Sequence, residues 1–408
     1  MGLSVFLKTI ARSITLVKFD LMNIPATTLN HQLRLNHLID AIDKQLDPVL
    51  FAPESMAAVR SLATKLAPVN YQLFELRLSD RDPSIDLSVP LTEELLTNHL
   101  DWCSTSPWHQ ISALKQACQI NGEFGGAIAT QVFWGEFDRE HMLSTVPIPG
   151  IFFDVSEELI QPQNQLEFAR VVCRAWEILL GKALPESTQT GIKTALAELP
   201  DGVGCTHFGI MLSRLLDGTT VPDSLRLHPA RWQIGDIANW LKAVGAGAVA
   251  SDVERVTQEI PHLLQRPIVT VDAAMSIGSR VGMECYPNAL ETVSDSNKTA
   301  WLEEFTDWLV KRSLASPAKV RALLDWELER ELLIELPQKP GVPFNYSACH
   351  FNLSHLKLVF EPRIGLQAKA YLLTNFIEQE EADLNTKSPV LESFDRIWET
   401  PNSISAIR

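Results

Sequence analysis

The chain has 408 residues, with 35 Lys and Arg against 50 Asp and Glu (a net charge of −15) and 46% hydrophobic content. The acidic balance, without any Lys/Arg run, speaks against a partner held through nucleic-acid phosphates, and the apolar content speaks against disorder. The length suits one large or two ordinary domains with ample core.

From Met1 to Val17 the chain is apolar and mildly basic, but Lys8 and Arg12 interrupt it and Lys18 ends it. That is too broken for a membrane span or a signal-peptide core, so a packed or interfacial helix is expected, and residues 1–55 read as a helical N-terminal segment. The six cysteines are scattered with no C-x-x-C, which fits buried thiols in a reduced, cytoplasmic setting. A helical pattern runs from Leu35 to Leu66, broken near Pro48 and Pro53.

Alternating runs then recur in pairs. Gln72–Leu78 and Ser84–Val89 flank the turn Ser79-Asp80-Arg81-Asp82-Pro83, which predicts a hairpin. Helix is expected from Thr92 to Ile120. A weaker strand pair follows, Ala127–Trp134 and Ile148–Val155, then helices over Gln165–Leu180 and Ser187–Leu199. The third pair is Thr206–Leu212 with Ser224–His228. Helices over Ile237–Val244 and Val253–Leu264 lead to the fourth pair, Ile268–Ala273 and Arg280–Tyr286. A helical stretch, Thr299–Ile334, precedes the fifth, which spans Ser354–Tyr371. The tail is acidic, then helical around Val390–Trp398. Two strands and two helices thus recur without a linker between them, which favours one α+β architecture over two domains.

Nucleotide and metal motifs are missing: no G-x-x-x-x-G-K-[ST], G-x-S-x-G, H-E-x-x-H or aspartate-rich diphosphate motif. Gly122–Gly126 reads as a turn. His350 and His355, five apart, fall on opposite strand faces by strict alternation, so no shared metal is expected.

What remains is the polar face of the strands. Alternation collects Glu75, Arg77, Asp86 and Ser88 from the first pair. The third and fourth add His207, Arg226, His228, Asp272, Arg280, Glu284 and Tyr286. The fifth adds His355, Lys357, Gln367, Lys369 and Tyr371. The second pair offers Gln131 and Asp154. Such a face is either the wetted side of an ordinary sheet or the wall of a lumen. Among these residues Arg77, Arg226, Arg280, Lys357 and Lys369 outnumber Glu75, Asp86, Asp272 and Glu284, against the trend of the chain. Clustered cations with Tyr hydroxyls suit a multiply charged oxyanion.

In this pattern the chain resembles the ABBA, or PT-barrel, prenyltransferases. Lys369-Ala370-Tyr371 looks like the K-x-Y strand pattern of the indole-type members. The resemblance covers roughly Met56 to Leu372, and it implies repeated αββα units forming a ten-stranded antiparallel barrel surrounded by helices. It places the barrel domain at 56–375 and a tail at 376–408. It further implies transfer of an allylic group from a prenyl diphosphate, as co-substrate, to an aromatic or peptide-borne nucleophile. Arg77, Arg226, Arg280, Lys357, Lys369 and Tyr371 would bind the diphosphate, Tyr286 and Tyr371 would shield the cation, and Glu75 would be the base. No cofactor is required by the sequence; Mg2+ is compatible with it. One alternative is a non-catalytic barrel that binds a peptide or metabolite in its lumen or on an outer helical face. Another is an enzyme of different chemistry using His207, His228 or His355 as general acid/base.

Overall fold

A computed structural model describes residues 15–17, 35–67, 69, 71–92, 106–119, 121–216, 218, 223–287, 295–327, 331–335 and 346–378. Within them, ten antiparallel strands close into a barrel. Its strands are β2 (Tyr71–Arg77), β3 (Ile85–Pro90), β4 (Ile128–Phe137), β5 (Gly150–Val155) and β6 (Gly204–Met211). The circuit continues with β7 (Leu225–Ala230), β8 (Ile268–Ala273), β9 (Ile277–Cys285), β11 (Tyr346–Glu361) and β12 (Gly365–Glu378). Neighbours pair in the order β11-β12-β2-β3-β4-β5-β6-β7-β8-β9. Pairing of Leu356–Phe360 on β11 with Val281–Cys285 on β9 closes the ring.

The alternation placed all five hairpins correctly, with ends displaced by a few residues. The fifth is longer than expected, because β11 begins at Tyr346 and β12 runs to Glu378, past the expected domain edge at 375. The first part of β11 stays paired with β12 but extends past β9 on its other edge. It pairs with β10 (Glu331–Glu335), and β1 (Thr15–Val17) adds in parallel to β10. Two expectations are corrected here. Glu331–Glu335 belongs to a strand, not to the end of the helical stretch Thr299–Ile334, because the contiguous Leu332-Leu333-Ile334 has no period that separates helix from strand. Thr15–Val17 is likewise a strand within the segment expected to be helical; Thr and Val suit a pleated edge. The expected helix at Val390–Trp398 lies outside the described residues.

Helices sit between the hairpins and cover the apolar outer face of the barrel. They are α1 (Leu35–Ile42), α2 (Pro53–Ala63), α3 (Trp108–Ala117), α4 (Gln165–Leu180), α5 (Glu186–Ala197), α6 (Asp236–Ala243), α7 (Gly247–Glu259), α8 (Asp295–Lys311) and α9 (Pro317–Glu327). In α4, Phe168, Val171, Val172, Ala175, Trp176 and Leu179 recur at three- and four-residue spacing and are buried. Gly181, at φ 63°, ends that helix in the left-handed conformation that costs glycine least. Its Phe168 packs on Phe208 of β6 (6.2 Å between ring centres), which meets Phe153 of β5 (4.9 Å), which meets Phe133 of β4 (4.6 Å). This layer between wall and helices is the core, and every large residue in it turns its polar strand neighbours inward. The five cysteines among the described residues are buried and free. No helix among them is long and apolar enough to cross a membrane.

Candidate functional site

Strand register sets the lumen. Tyr371 of β12 lies opposite Glu75 of β2, and Glu75 opposite Asp86 of β3. Lys369 is flanked by Lys357 of β11 and Arg77 of β2. Around the other side, Asp154 of β5 faces His207 of β6, His207 faces His228 of β7, Arg226 faces Asp272 of β8, and Glu284 of β9 faces Lys357. Alternation read correctly that these residues share one face. It could not show that they would neutralise one another.

Nearly every cation is paired. Lys369 donates to Glu75 Oε1, and the Tyr371 hydroxyl donates to the other oxygen of the same carboxylate. Lys357 Nζ donates to Glu284 Oε1 at 2.9 Å, and the Tyr286 hydroxyl to Oε2 at 3.0 Å. Arg226 grips Asp272 through Nε at 2.8 Å and Nη2 at 3.3 Å, a bidentate pair. Arg77, beside Lys369 in register, has Nη2 2.7 Å from Asp86 and further carboxylates at Glu75 and Asp82. Arg280, at the mouth, is half-buried and 3.5 Å from Glu361.

Two lumen residues were missed by sequence reasoning. Glu136 lies on β4, which runs on to Phe137 instead of stopping at Trp134. Arg214 lies on a short turn of helix after β6 and reaches in to Glu136 at 3.3 Å and to Asp138 Oδ2 at 3.0 Å. It supplies the cation that the second hairpin lacks. Gly135, followed by the acidic Glu136 and Asp138, reads as the end of the strand, and no strand periodicity extends to Arg214, so neither was legible. Gln131 has no described side chain.

These groups divide the lumen into a charged end and an aromatic end. At the charged end, Arg214, Arg226, Arg280, Lys357 and Lys369 line one cavity with Glu75, Glu136, Asp272 and Tyr371. Its volume is about 20 Å³, room for about one water. A ten-strand barrel is wide enough for a ligand, but here long paired side chains fill the width. Arg77 and Tyr286 do not line the cavity. Gly282 gives Lys357 its path, since a Cβ there would lie 2.6 Å from Lys357 Cε and 2.1 Å from Thr270 Oγ1.

At the aromatic end, the His355 ring stacks on Tyr371 (4.0 Å, 18°) with Tyr286 on its other side at 4.6 Å. His207 and His228 lie 3.8 Å apart, and Phe152 meets His228 edge-on at 5.7 Å. Tyr71 and Trp134 close this end at 5.3 Å. The β-bulge at Leu353/His355 corrects one expectation. It shifts the register by one, so His350, opposite Asn375, shares a face with His355, opposite Tyr371. They remain roughly 13 Å apart along the strand, too far to share an ion. His207, His228 and Glu284, by contrast, bring possible ligand atoms within 4.8 Å of one another.

Burial and pairing set the protonation states. Burial pushes Glu75 up, but Lys369, Arg77 and Lys357 outweigh it and hold the carboxyl well below its ordinary range. Burial lowers Lys369 to about 8 against the pull of Glu75, so the pair is charged at neutral pH. Glu284 is held at about 2, where Lys357, His355 and His207 overcome burial. Burial raises Asp86 to about 7 despite Arg77. Burial alone raises Asp154 to about 7 as well. His207 and His355 fall to about 4, chiefly through burial, so both rings are neutral at pH 7. Both tyrosines are raised well above 10 and stay donors.

Comparison with family models, with curated proteins and with solved structures found no match.

Proposed function

We propose that the barrel is of the PT-barrel kind and transfers an allylic group from a prenyl diphosphate to an aromatic or peptide-borne nucleophile. One observation carries the reading: five cations from four strands and one helical turn surround a single cavity, lined by three carboxylates. In a chain of net charge −15, that concentration of cations facing one cavity suits a multiply charged oxyanion. The helices lying between successive hairpins support the αββα repeat.

In this reading Lys357, Lys369, Arg226, Arg280 and Arg214 hold the diphosphate, and Tyr371 donates to it. The allylic C–O bond breaks with its electron pair leaving on the diphosphate oxygen. The carbon bonds to the nucleophile, and the displaced proton goes to a carboxylate. Tyr286, Tyr371 and the neighbouring rings shield the cation from water. Glu75 was expected as the base. Its ion pair with Lys369 keeps it a weak one and suits it to aiming Lys369 and Tyr371. Asp154, raised to about 7 at the aromatic end, is the better-matched base. A diphosphate is larger than the cavity, so binding requires Lys369 or Arg226 to swing from its carboxylate.

Thermal shift tests the reading, with inorganic pyrophosphate and a non-reactive allylic thiodiphosphate, each with and without Mg2+. Saturable stabilisation by the thiodiphosphate, weakened at least tenfold in Arg280→Ala, is expected. A folded protein that millimolar thiodiphosphate leaves unshifted would end the proposal.

A second reading, a binding protein without catalysis, has its own observation. The cleft between α5, the α6–α7 corner and the β8–β9 turn has a volume of about 640 Å³, far more than the lumen offers, and Met275 is exposed at its edge. A metabolite or peptide that binds with unchanged affinity to Arg280→Ala but not to Met275→Asp would favour it.

A further inference from the structure

We propose that His207, His228 and Glu284 form a binding site for a divalent transition-metal ion of the zinc class inside the barrel. The three side chains come from β6, β7 and β9, the last two separated by β8, and offer ligand atoms all within 4.8 Å of one another. Ligand atoms around a tetrahedral zinc stand roughly 3.3 Å apart, given metal–ligand bonds near 2 Å. Small side-chain rotations close the difference.

His228 points to a ligand independently of that spacing. It is 3% exposed, and neither of its ring nitrogens has a hydrogen-bond partner. A buried imidazole without partners is costly, and groups of this kind in native proteins mark an ion, a water or a functional role. Its nearest rings are His207 at 3.8 Å and Phe152 at 5.7 Å, and neither is hydrogen-bonded to its Nδ1 or Nε2.

His207 is oriented as a metal-ligating histidine is. The Thr206 hydroxyl donates its one proton to the His228 carbonyl at 3.2 Å. Its oxygen therefore accepts from His207 Nδ1–H, 3.0 Å away. That fixes the tautomer and leaves Nε2 with its lone pair free to bind a metal, the arrangement typical of ligand histidines. One hydroxyl thus ties both histidine-bearing strands together. Glu284 is equally supported: Lys357 holds one oxygen and Tyr286 the other, and each oxygen retains a second lone pair.

Two histidines and one carboxylate fill three positions and leave a fourth for water or an oxyanion, the donor set of open zinc sites and not of closed structural ones. Imidazole with carboxylate selects zinc, iron, cobalt or nickel over the hard ions magnesium and calcium. None of its three ligands lines the charged cavity, and Lys357, which does, joins the two sites through Glu284.

Full-length protein, stripped with chelator, would be titrated with Co2+ and then Zn2+ while visible absorption and melting temperature are followed. Expected are ligand-field bands saturating at one equivalent, a raised melting temperature, and displacement by Zn2+. His228→Phe, which replaces an unpartnered imidazole with a ring of similar shape, should fold and bind Co2+ at least tenfold more weakly. Glu284→Gln, which keeps an acceptor for Lys357, should do the same, and it carries the test if His228→Phe fails to fold. A folded wild-type protein with neither bands nor a melting shift would overturn the site. So would bands undiminished in a folded variant. None of these readouts depends on diphosphate binding, so the two proposals fail separately.

Discussion

Lys357 and Lys369 are direct register partners on β11 and β12, and each is neutralised on its far side, by Glu284 on β9 and Glu75 on β2. Like charges directly opposite in a sheet repel. Glu284 is the direct register partner of Lys357, whereas Glu75 reaches Lys369 diagonally, because Arg77 holds the register position beside it. Both ammonium groups line the cavity, where an anion would lower their repulsion.

Removing one member of such a pair strands the other. Lys369→Met leaves Glu75, 3% exposed, with Arg77 at 3.4 Å as its nearest remaining cation. A loss of about 3 kcal/mol is expected from chemical denaturation, the lower part of the range for broken buried pairs. Adding Glu75→Gln should restore most of it. Additive losses in the double variant would show that the two are not coupled.

Arg214 bridges Glu136 and Asp138, both buried, from outside the sheet. Arg214→Gln should cost about 2–3 kcal/mol by leaving two carboxylates facing each other. It should also weaken pyrophosphate binding several-fold, because Arg214 lines the cavity. Isothermal titration checks the second outcome, and unchanged affinity would remove Arg214 from the anion site.

The wall of the barrel was legible in the sequence because period two is a property of the strand itself: His355, Lys357, Lys369 and Tyr371 declare their shared face without any neighbour. What fills the barrel was not. Lys369 finds Glu75 across 294 positions of chain, a separation that no local pattern reports. The bulge at Leu353/His355 has no glycine or proline to announce it, so His350 was placed on the wrong face. Glu136 and Arg214 lie where a strand overruns and where a turn folds back, both beyond the reach of alternation.

Gly209 is the register partner of Phe152, and a Cβ there would stand 2.5 Å from the Phe152 ring. Gly209→Ala should therefore destabilise the barrel by about 1–3 kcal/mol through overpacking. Phe152→Leu should relieve it in the double variant, as read from melting curves. Failure of that rescue would place the strain in the backbone instead of the lumen.

Asp154 gives the pH test its sign. In the unfolded chain an aspartate ionises near 3.9; in the barrel, burial raises Asp154 to about 7. Between those values the folded protein holds the proton more tightly than the unfolded one. This group's contribution to stability therefore falls as pH rises from about 4 to about 7 and is level above that. Asp154→Asn removes the effect. The variant should match the wild type near pH 4 and exceed it above pH 7, by at most about 4 kcal/mol at 1.36 kcal/mol per pKa unit. If Asp154 is also the base, the same variant keeps thiodiphosphate binding and loses prenyl transfer, gaining stability as it loses turnover. A variant less stable than wild type at pH 8 would mean that a cation meets the carboxylate after all, and the base would have to be sought at Asp86, the other carboxylate raised to about 7.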